Sequence, residues 1–307
     1  ITPIKSADVL TMVLLGANDR AMTVAEIHRQ AADIASLVRE RKLPAASGFR
    51  LDNEEQVQGA VLALQRSGLI KSFSKTLPAV YYIPGGKRLA AAYYRNTITH
   101  YFLNAALAEI GLATCALGIE MPSEALLNQH VLDLRDLYKF EFYYKPTEDF
   151  LREVQLEAQQ RYPNWNSGET SLQKLLRDNP PRFGHAIMRS ISESYLIIAV
   201  TLLDLGETPV DNQKQFIGQL MARGEQMLLR RTISCQASVS KDLFATGLRL
   251  AEHLQLLSAG DDLAACRETF AQRVVTALSA INLLQRSYNA AWFSQLSAGR
   301  VSNLLGI

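Results

Sequence analysis

Apolar residues at helical spacing dominate this sequence, and the pattern restricts the chain to a mainly α-helical fold. From Gly85 onward, successive segments repeat their apolar side chains every three to four positions. The stretch "GKRLAAAYYRNTITHYFLNAALAEIGL" is predicted to be one long, aromatic-rich helix. Residues 182–205 are predicted to form another, and a further helix is predicted to start at Thr208 and to continue past Arg230. A β-type pattern occurs in "LIKSFSK" and "AVYYIP", and "KFEFYYKP" is a weaker candidate for a single strand. The fold class predicted is therefore mainly α.

The beginning of the chain combines three helices with one hairpin. "ADVLTMVLLG" is predicted to be a short buried helix. Thr23 and Glu26 form a capping box that starts a second helix, and Asn53 caps a third helix, which Gly68 closes. The two β-type runs follow, separated by "TLP". Because this order of elements is that of a winged helix, residues 1–84 are predicted to form a winged-helix-like unit.

The rest of the chain divides at an irregular segment. "PNWNSGETS" and the Pro-Pro pair that soon follows it form the least regular part of the sequence. Residues 85–162 are therefore predicted to hold the long helix and a linking helical region, and residues 163–307 a C-terminal helical bundle. Within that bundle, Thr208 ahead of Pro209 is predicted to be a helix N-cap.

Composition is that of a globular protein with a sizeable core. Hydrophobic residues make up 48% of the chain and charged residues 20%. The net charge of +2, from 32 Lys and Arg against 30 Asp and Glu, gives no argument for a nucleic-acid partner. Cys115, Cys235 and Cys266 are scattered, which favours free thiols over a disulfide framework. The longest uncharged apolar run, Tyr195 to Leu203, is about half as long as a bilayer crossing requires, so no membrane-spanning segment is predicted.

A His-x-x-x-x-Asp spacing occurs in "EIHRQAADI", from His28 to Asp33. In one family of acyltransferases, this spacing marks the catalytic base and the carboxylate that orients it. Here both residues lie inside the helix predicted to start at Thr23, and positions five apart on a helix are rotated by about 140°. The two side chains therefore project to different faces. We interpret His28 as a polar residue on a solvated helix face rather than as a catalytic base.

Other chemical motifs are missing from the sequence. It contains no Gly-rich phosphate loop and no Gly-x-Ser-x-Gly turn, and its five histidines and three cysteines are too dispersed for a local zinc signature. Asp261 and Asp262 are interpreted as a helix cap, and the charge run 39–42 as a solvated helix end. No metal and no cofactor are expected.

One segment, "YYRNTITHYF", carries more polar and aromatic groups than helix packing requires. It contains Tyr93, Tyr94, Arg95, Asn96 and His100 on a helix that already has an apolar face. A polar cluster on such a helix usually docks against another domain or completes a buried network. We predict that these five residues make interdomain or network contacts, with a substrate phosphate or a chance surface grouping as alternatives. Arg95 and His100 are five positions apart and are expected to have separate partners.

The same segment resembles the Tyr-Tyr-Arg-Asn-x-x-x-His segment in the carboxyl-terminal region of bacterial membrane-bound glycerol-3-phosphate acyltransferases. Two further stretches agree in the same order. "ITPIKSADVLTMVLLGANDRAMTVAEI" is similar to the family's Thr-Pro opening and apolar helix, and "SGLIKSFSKTLPAVYYIPGGKRLAAAYYRN" to its hairpin and long helix. The resemblance covers most of the chain and is specific over residues 1–112. Thr97 and Thr99 depart from the asparagine and leucine that the family usually has there.

The resemblance implies that the whole enzyme transfers a fatty acyl group from acyl-CoA or acyl carrier protein to the 1-hydroxyl of glycerol 3-phosphate, the first step of phospholipid synthesis. Such chemistry needs a His base paired with an Asp, and cations that hold the phosphate. The family's Gly-x-x-Phe-x-x-Arg and Phe-Pro-Glu-Gly-Thr blocks are absent from this sequence, which opens on Ile1 without a signal-peptide layout. The chain is therefore expected to be a noncatalytic part of a longer polypeptide, with no catalytic residue of its own.

The partners implied are the upstream catalytic domain, which this region would brace, and a membrane surface. The last stretch, "SYNAAWFSQLSAGRVSNLLGI", combines Trp292 and Phe293 with Arg286 and Arg300 as a moderate interfacial amphipath. We expect weak peripheral association with the cytoplasmic side of the cell membrane rather than insertion. Packing of this helix on its own domain is the alternative.

Two other functions are compatible with the pattern of elements. A winged-helix nucleic-acid binder would use residues 54–67 as its recognition helix, but Glu54, Glu55 and the single cation Arg66 suit a DNA groove poorly. No nucleic-acid partner is therefore expected. The other possibility is a free-standing helical scaffold, which an open reading frame without the upstream catalytic blocks would distinguish.

Overall fold

A computed structural model of the chain describes residues 2–18, 20–75, 77–118 and 120–305, with side chains described as far as residue 291. The fold is mainly helical, as predicted. The chain divides into two compact units, Ile1–Leu103 and Asn104–Ile307. The predicted three-part division at residues 84 and 162 stays a prediction.

The first unit contains three helices, a small sheet and the start of a fourth helix. Its elements are α1 (Ser6–Gly16), β1 (Met22–Thr23), α2 (Val24–Glu40), α3 (Glu54–Arg66), β2 (Lys71–Phe73), β3 (Val80–Tyr82) and α4 (Arg88–Leu117), of which residues 88–103 belong to this unit. The three helices and the hairpin occur in the order that the sequence predicts. Their likeness to a winged helix stays an interpretation of that order.

Local capping explains where these helices begin and end. The Thr23 hydroxyl accepts a hydrogen bond from the Glu26 backbone N–H at 3.3 Å, and the Glu26 carboxylate accepts one from the Thr23 N–H at 2.7 Å, which completes the predicted capping box. Asn53 accepts from the Gln56 N–H at 3.0 Å and starts α3. Gly68, with φ +74°, lies in the left-handed region just after α3.

The sheet has three antiparallel strands in the order β1-β3-β2. Tyr81 in β3 lies opposite Met22 of β1 and opposite Ser72 of β2. The sequence did not indicate β1, because two residues show no alternation and Thr23 also serves as the cap of α2. The apolar faces of α2 and α3 contribute to the core of this unit at the predicted spacing. Their buried residues include Ile27, Ala31, Ile34, Val57 and Val61.

The second unit is helical throughout its described residues. Besides residues 104–117 of α4, it contains α5 (Glu124–Leu137), α6 (Thr147–Arg161), α7 (Leu172–Asp178), α8 (Gly184–Asp204), α9 (Gln213–Leu229), α10 (Lys241–His253) and α11 (Leu263–Leu305). Helix α8 is central, with α9, α10 and α11 packed around it. At its first residue, Gly184, a Cβ atom would lie 2.6 Å from Cδ1 of Leu284, so the missing side chain permits the close approach of α11.

Helix α8 is the single candidate for a membrane span among the described residues. Its length and composition would suffice for a crossing, but 72% of its most apolar window is buried inside the unit. The helix extends beyond the nine-residue apolar run at 195–203 because its polar residues, such as Arg189 and Glu193, are accommodated inside the protein.

Two expectations for the second unit are wrong. The segment 139–146, expected as a possible strand, forms a turn in which the Glu141 N–H donates to the Tyr138 carbonyl at 2.9 Å. Helix α9 does not begin at Thr208, because its N-cap is Asn212, whose side chain accepts from the Gln215 N–H at 3.1 Å.

Candidate functional site

The predicted cluster lies on the first four turns of α4, within the first unit. Leu89, Tyr93, Asn96 and His100 follow the spacing i, i+4, i+7, i+11, which places them on one helix face within about 60°. All four are exposed, and Leu89 and Tyr93 are 61% and 73% exposed. We call these four residues the α4 face. Tyr94 lies beside it and is 39% exposed.

Arg95 occupies the opposite environment, since it is only 4% exposed. Its Nε and one terminal nitrogen donate to Oδ1 of Asn96 at 3.1 and 2.9 Å. The Arg95 carbonyl accepts from the Thr99 hydroxyl at 3.2 Å. These two hydrogen bonds fix the orientation of the Asn96 amide at the edge of the α4 face, because both come from one planar guanidinium group.

Ring contacts order the remaining members of the cluster. The rings of Tyr93 and Tyr94 meet edge to face with centroids 6.4 Å apart, and the rings of His100 and Tyr101 lie 3.9 Å apart. The Tyr101 hydroxyl donates to the Thr2 carbonyl at 3.0 Å. Partial loss of water around its ring lowers the pKa of His100, so the imidazole is neutral at pH 7. The cluster therefore presents aromatic and neutral polar groups.

The structure separates Arg95 from His100. The guanidinium is buried and the imidazole is exposed, so the two side chains do not act on a common ligand. This arrangement agrees with the expectation from their five-residue spacing. It brings Arg95 together with Asn96, and Tyr93 together with Tyr94.

The His-x-x-x-x-Asp spacing does not form a catalytic pair. His28 and Asp33 both lie within α2, and a ring nitrogen of His28 is 3.2 Å from the carbonyl oxygen of Asp52. Helical geometry directs the two side chains about 140° apart. Within the described part of the chain, no group of three or more His, Cys, Asp or Glu residues is arranged to hold a metal ion.

Buried charged residues in the second unit were not anticipated. Glu109 accepts the backbone N–H groups of Arg182, Phe183 and Gly184 at 2.7, 2.9 and 2.7 Å and so fixes the start of α8. Burial raises the pKa of Glu109, and the three N–H donors and the nearby Arg161 oppose that rise. A lone acidic residue in the apolar run "AALAEIGLA" is the sequence signal that could have identified it.

Arg267 has a corresponding role toward the other end of α8. It is fully buried and donates to the carbonyl oxygens of Leu256, Gly206 and Thr208, at 2.6 to 3.0 Å. These contacts join the loops after α8 and α10 to α11. Glu109 and Arg267 thus each connect segments that are distant along the chain.

Comparison with known proteins confirms the resemblance drawn from the sequence. The family model of the glycerol-3-phosphate acyltransferase C-terminal region matches residues 1–260. The chain is 29% identical over 291 residues to a Mycobacterium bovis protein named putative acyltransferase plsB1, covering 92% of this chain and 46% of that protein. Proteins of the same name from two Mycobacterium tuberculosis strains match equally well. The chain thus spans slightly less than half the length of these relatives.

The match to the family model extends through both units and includes the whole of the predicted cluster. It covers well over half of the sequence. This chain therefore belongs to the family of glycerol-3-phosphate acyltransferase C-terminal regions.

Proposed function

We propose that this chain is a noncatalytic region of a glycerol-3-phosphate 1-O-acyltransferase and that the α4 face braces the acyltransferase domain of the same polypeptide. Membership in the family supports the first part of the proposal. The bracing role is supported by the exposure of Leu89 and Tyr93, which are 61% and 73% exposed on a helix whose other side is buried. An exposed leucine and tyrosine side by side are what the centre of an interface requires.

The chemistry of the α4 face suits a protein surface as its partner. Tyrosine contributes a large apolar area together with a hydroxyl that can donate or accept. Asn96 is already held by Arg95, so little side-chain freedom is lost when its exposed amide is covered. His100 is neutral at pH 7, and the face therefore brings no charge that docking would have to strip of water.

The docking part of the proposal is tested by binding of this chain to the separately purified acyltransferase domain. Tyr93→Ser should raise the Kd about tenfold or more, because truncation of a central aromatic side chain removes a large part of the binding energy. Tyr143→Ser is the matched control, since Tyr143 is a 94% exposed tyrosine outside the face. Equal effects of the two substitutions would contradict the proposal.

The noncatalytic part of the proposal concerns acyl transfer by the whole enzyme, from acyl-CoA or acyl carrier protein to glycerol 3-phosphate. It is supported by the position of His28 inside α2, where no paired base is formed, and by the missing catalytic blocks. Purified residues 1–307 should therefore transfer no labelled acyl group to glycerol 3-phosphate, whereas the full-length enzyme does. Measurable transfer by residues 1–307 would overturn this part.

Peripheral association with the cytoplasmic face of the cell membrane is also proposed. Its support is the composition of the last stretch, in which Trp292 and Phe293 accompany Arg286 and Arg300. The side chains of residues 292–307 lie outside the described ones. Liposome flotation tests the proposal, because a peripheral chain should float with anionic vesicles and be released by high salt or carbonate. Retention after both washes would contradict a peripheral mode.

The proposal includes no nucleic-acid partner. Helix α3, the element that a winged-helix protein would place in a groove, has Glu54 and Glu55 in its first turn and Arg66 in its last. A filter assay at low salt should therefore show no salt-dependent DNA affinity. A steep salt dependence would favour the nucleic-acid alternative over the brace.

A further inference from the structure

A second candidate site lies in the second unit, in a cavity of about 380 Å³ between α8, α11 and the loop after α9. Its polar lining includes Arg189, Arg231, Ser279 and Asn282, and its apolar wall includes Leu196 and Leu278. A volume of this size is at the small end of the range for ligand pockets, roughly 300–1,000 Å³. The lining thus combines cationic, hydroxyl-bearing and aliphatic groups.

Arg189 is the innermost cation of this cavity. Its side chain is 13% exposed, and one terminal nitrogen donates to Oδ1 of Asn282 at 3.0 Å. The same nitrogen lies 3.5 Å from the Glu193 carboxylate. Its Nε, however, is buried without a hydrogen-bond partner among the described residues. Because Nε has no accessible surface, an anionic oxygen entering the cavity would meet the partly exposed remainder of this charged side chain.

Glu193 builds one wall of the cavity, and both of its carboxylate oxygens accept hydrogen bonds from other residues. Its two oxygens accept from the Ser234 N–H and hydroxyl at 3.1 and 3.0 Å, from the Cys235 N–H at 2.8 Å and from the Ser238 hydroxyl at 3.0 Å. These bonds fasten the loop after α9 onto α8. Because four donors already surround the carboxylate, its repulsion of an incoming anion is reduced.

Arg231 supplies the outer cation. It has φ +57° at the turn that ends α9, where its N–H donates to the Leu228 carbonyl at 3.0 Å. A left-handed residue at a helix end is usually glycine or asparagine, so an arginine there is unfavourable for the backbone. The turn nevertheless places this exposed side chain on the cavity that contains Arg189.

We propose that this cavity binds the phosphate group of a small phosphomonoester, held between Arg189 and Arg231, with Ser279 and the amide of Asn282 as further donors. Planar guanidinium groups match phosphate oxygens through paired bonds, and the two positive charges of the arginines exceed the single negative charge of Glu193. The aliphatic wall of Leu196 and Leu278 accommodates the carbon skeleton of the ligand. This site is separate from the α4 face, so either proposal can fail without the other.

The experiment is a calorimetric titration of the full chain at low salt with inorganic phosphate and with glycerol 2-phosphate, using glycerol as the uncharged control. Both phosphates should bind and glycerol should not. Arg231→Ala and Arg189→Lys should each raise the Kd about tenfold, the scale of one lost hydrogen bond to a charged group. Arg230→Ala is the matched control, because this neighbouring exposed arginine does not line the cavity and its loss should leave the Kd unchanged.

Several results would overturn the proposal. One is the absence of phosphate binding by the unmodified chain, and another is an equal loss of affinity in Arg230→Ala and Arg231→Ala, which would show general surface attraction. A third arm uses vesicles of phosphatidic acid, whose headgroup is also a phosphomonoester. If the chain binds these vesicles through Arg231 but binds neither soluble phosphate, the ligand is a lipid headgroup and the assignment to a small phosphomonoester is overturned. Thermal unfolding of each variant checks its folding, and if Arg189→Lys fails to fold, the exposed Arg231 still decides.

Discussion

The two units differ in what their most buried charged residues hold together. In the second unit, Glu109 accepts N–H groups 73 to 75 residues away, and Glu193 accepts from groups 41 to 45 residues away. In the first unit, Asp8 accepts the Lys5 N–H three residues away and also interacts with the Thr97 side chain of α4, and Arg95 donates to the adjacent Asn96. Glu109 and Glu193 thus each collect several donors from one distant segment, whereas Asp8 combines a local helix cap with one distant side chain.

This difference indicates a division of roles. A buried carboxylate can accept hydrogen bonds from backbone N–H groups of a distant segment. The packing of the unit then depends on that one side chain. The second unit is built in that way around α8. The first unit leaves an aromatic face on α4 exposed, which fits an element that receives further contacts from a partner. The following predictions test this contrast, from the largest expected effect to the smallest.

Glu109→Ala should produce the largest loss of stability. Three N–H groups at the start of α8 would lose their acceptor inside the core, and we expect the free energy of unfolding to fall by about 4 kcal/mol. Urea unfolding followed by circular dichroism measures the change, with Glu148→Ala in the exposed first turn of α6 as the control. A loss no larger than that of the control would show that the distant contacts of the second unit are not its main supports.

The pH dependence of stability should carry the signature of Glu141 in the second unit. Burial raises the pKa of Glu141 from 4.5 to about 7, against a hydrogen bond from Tyr195 and the charge of Arg249. Since the folded-state pKa is the higher one, the stabilisation is complete below pH 4.5 and is lost as the pH rises to about 7. The loss amounts to roughly 3 kcal/mol.

Glu141→Gln isolates this effect, because the amide keeps an acceptor for the Tyr195 hydroxyl but does not titrate. Between pH 4.5 and 7 the difference in free energy of unfolding between Glu141→Gln and the unmodified chain should shift in favour of the variant by roughly 3 kcal/mol. His185 works in the opposite direction: burial lowers its pKa from 6.5 to about 3, so its stabilisation is present above pH 6.5 and is lost as the pH falls. The difference between the two proteins cancels that contribution, and identical pH profiles would refute the role of Glu141.

Arg95→Ala should have a smaller effect, of about 2 kcal/mol on unfolding of the first unit. The two hydrogen bonds to the Asn96 amide would be lost with the guanidinium, and pairing with a buried carboxylate would raise the cost to about 3 kcal/mol or more. Thermal unfolding of this chain and activity of the full-length enzyme should be measured together, with the exposed Arg66→Ala as the control. Unchanged stability with lost activity would indicate that Arg95 contacts another domain or the substrate. If neither quantity changes, the five residues of the cluster form a chance surface grouping without a role.

His28→Ala should have the smallest effect. In the full-length enzyme we expect turnover to remain within about threefold of the unmodified enzyme, because a ring nitrogen of His28 lies against the carbonyl oxygen of the exposed Asp52. Steady-state kinetics with both substrates measures the ratio. A loss of a hundredfold or more, the scale of removing a general base, would reinstate the His-x-x-x-x-Asp pair and reverse the interpretation of the first unit as noncatalytic.

The sequence alone determined the helical class and the local limits of several helices. The Thr23 and Glu26 capping box, the Asn53 cap and the closing Gly68 were all predicted and are all present. Each depends on contacts within about four residues along the chain, so the residues that determine these helix ends are neighbours in the sequence. The cluster on α4 was also identified, since five unusual residues in a single helix need no tertiary information to be noticed.

Tertiary structure decided what local patterns left open. Thr208 followed by Pro209 has the sequence of a helix start, yet the Thr208 carbonyl accepts from Arg267 at 3.0 Å and the Val210 N–H donates to Leu257 at 2.8 Å. These distant partners take the groups that a first helical turn would use, and α9 begins at Gln213 instead.

The cavity of Arg189 and Arg231 has the same origin. It brings together residues from α8, from α11 and from the loop after α9, separated by up to some 90 positions along the chain. The residues next to Arg189 and Arg231 in the sequence do not indicate that the two arginines lie close together. A site built from three segments forms only when folding brings those segments into contact. Local hydrogen bonds could be read from adjacent residues, whereas contacts between distant segments depend on packing that single-sequence patterns do not encode.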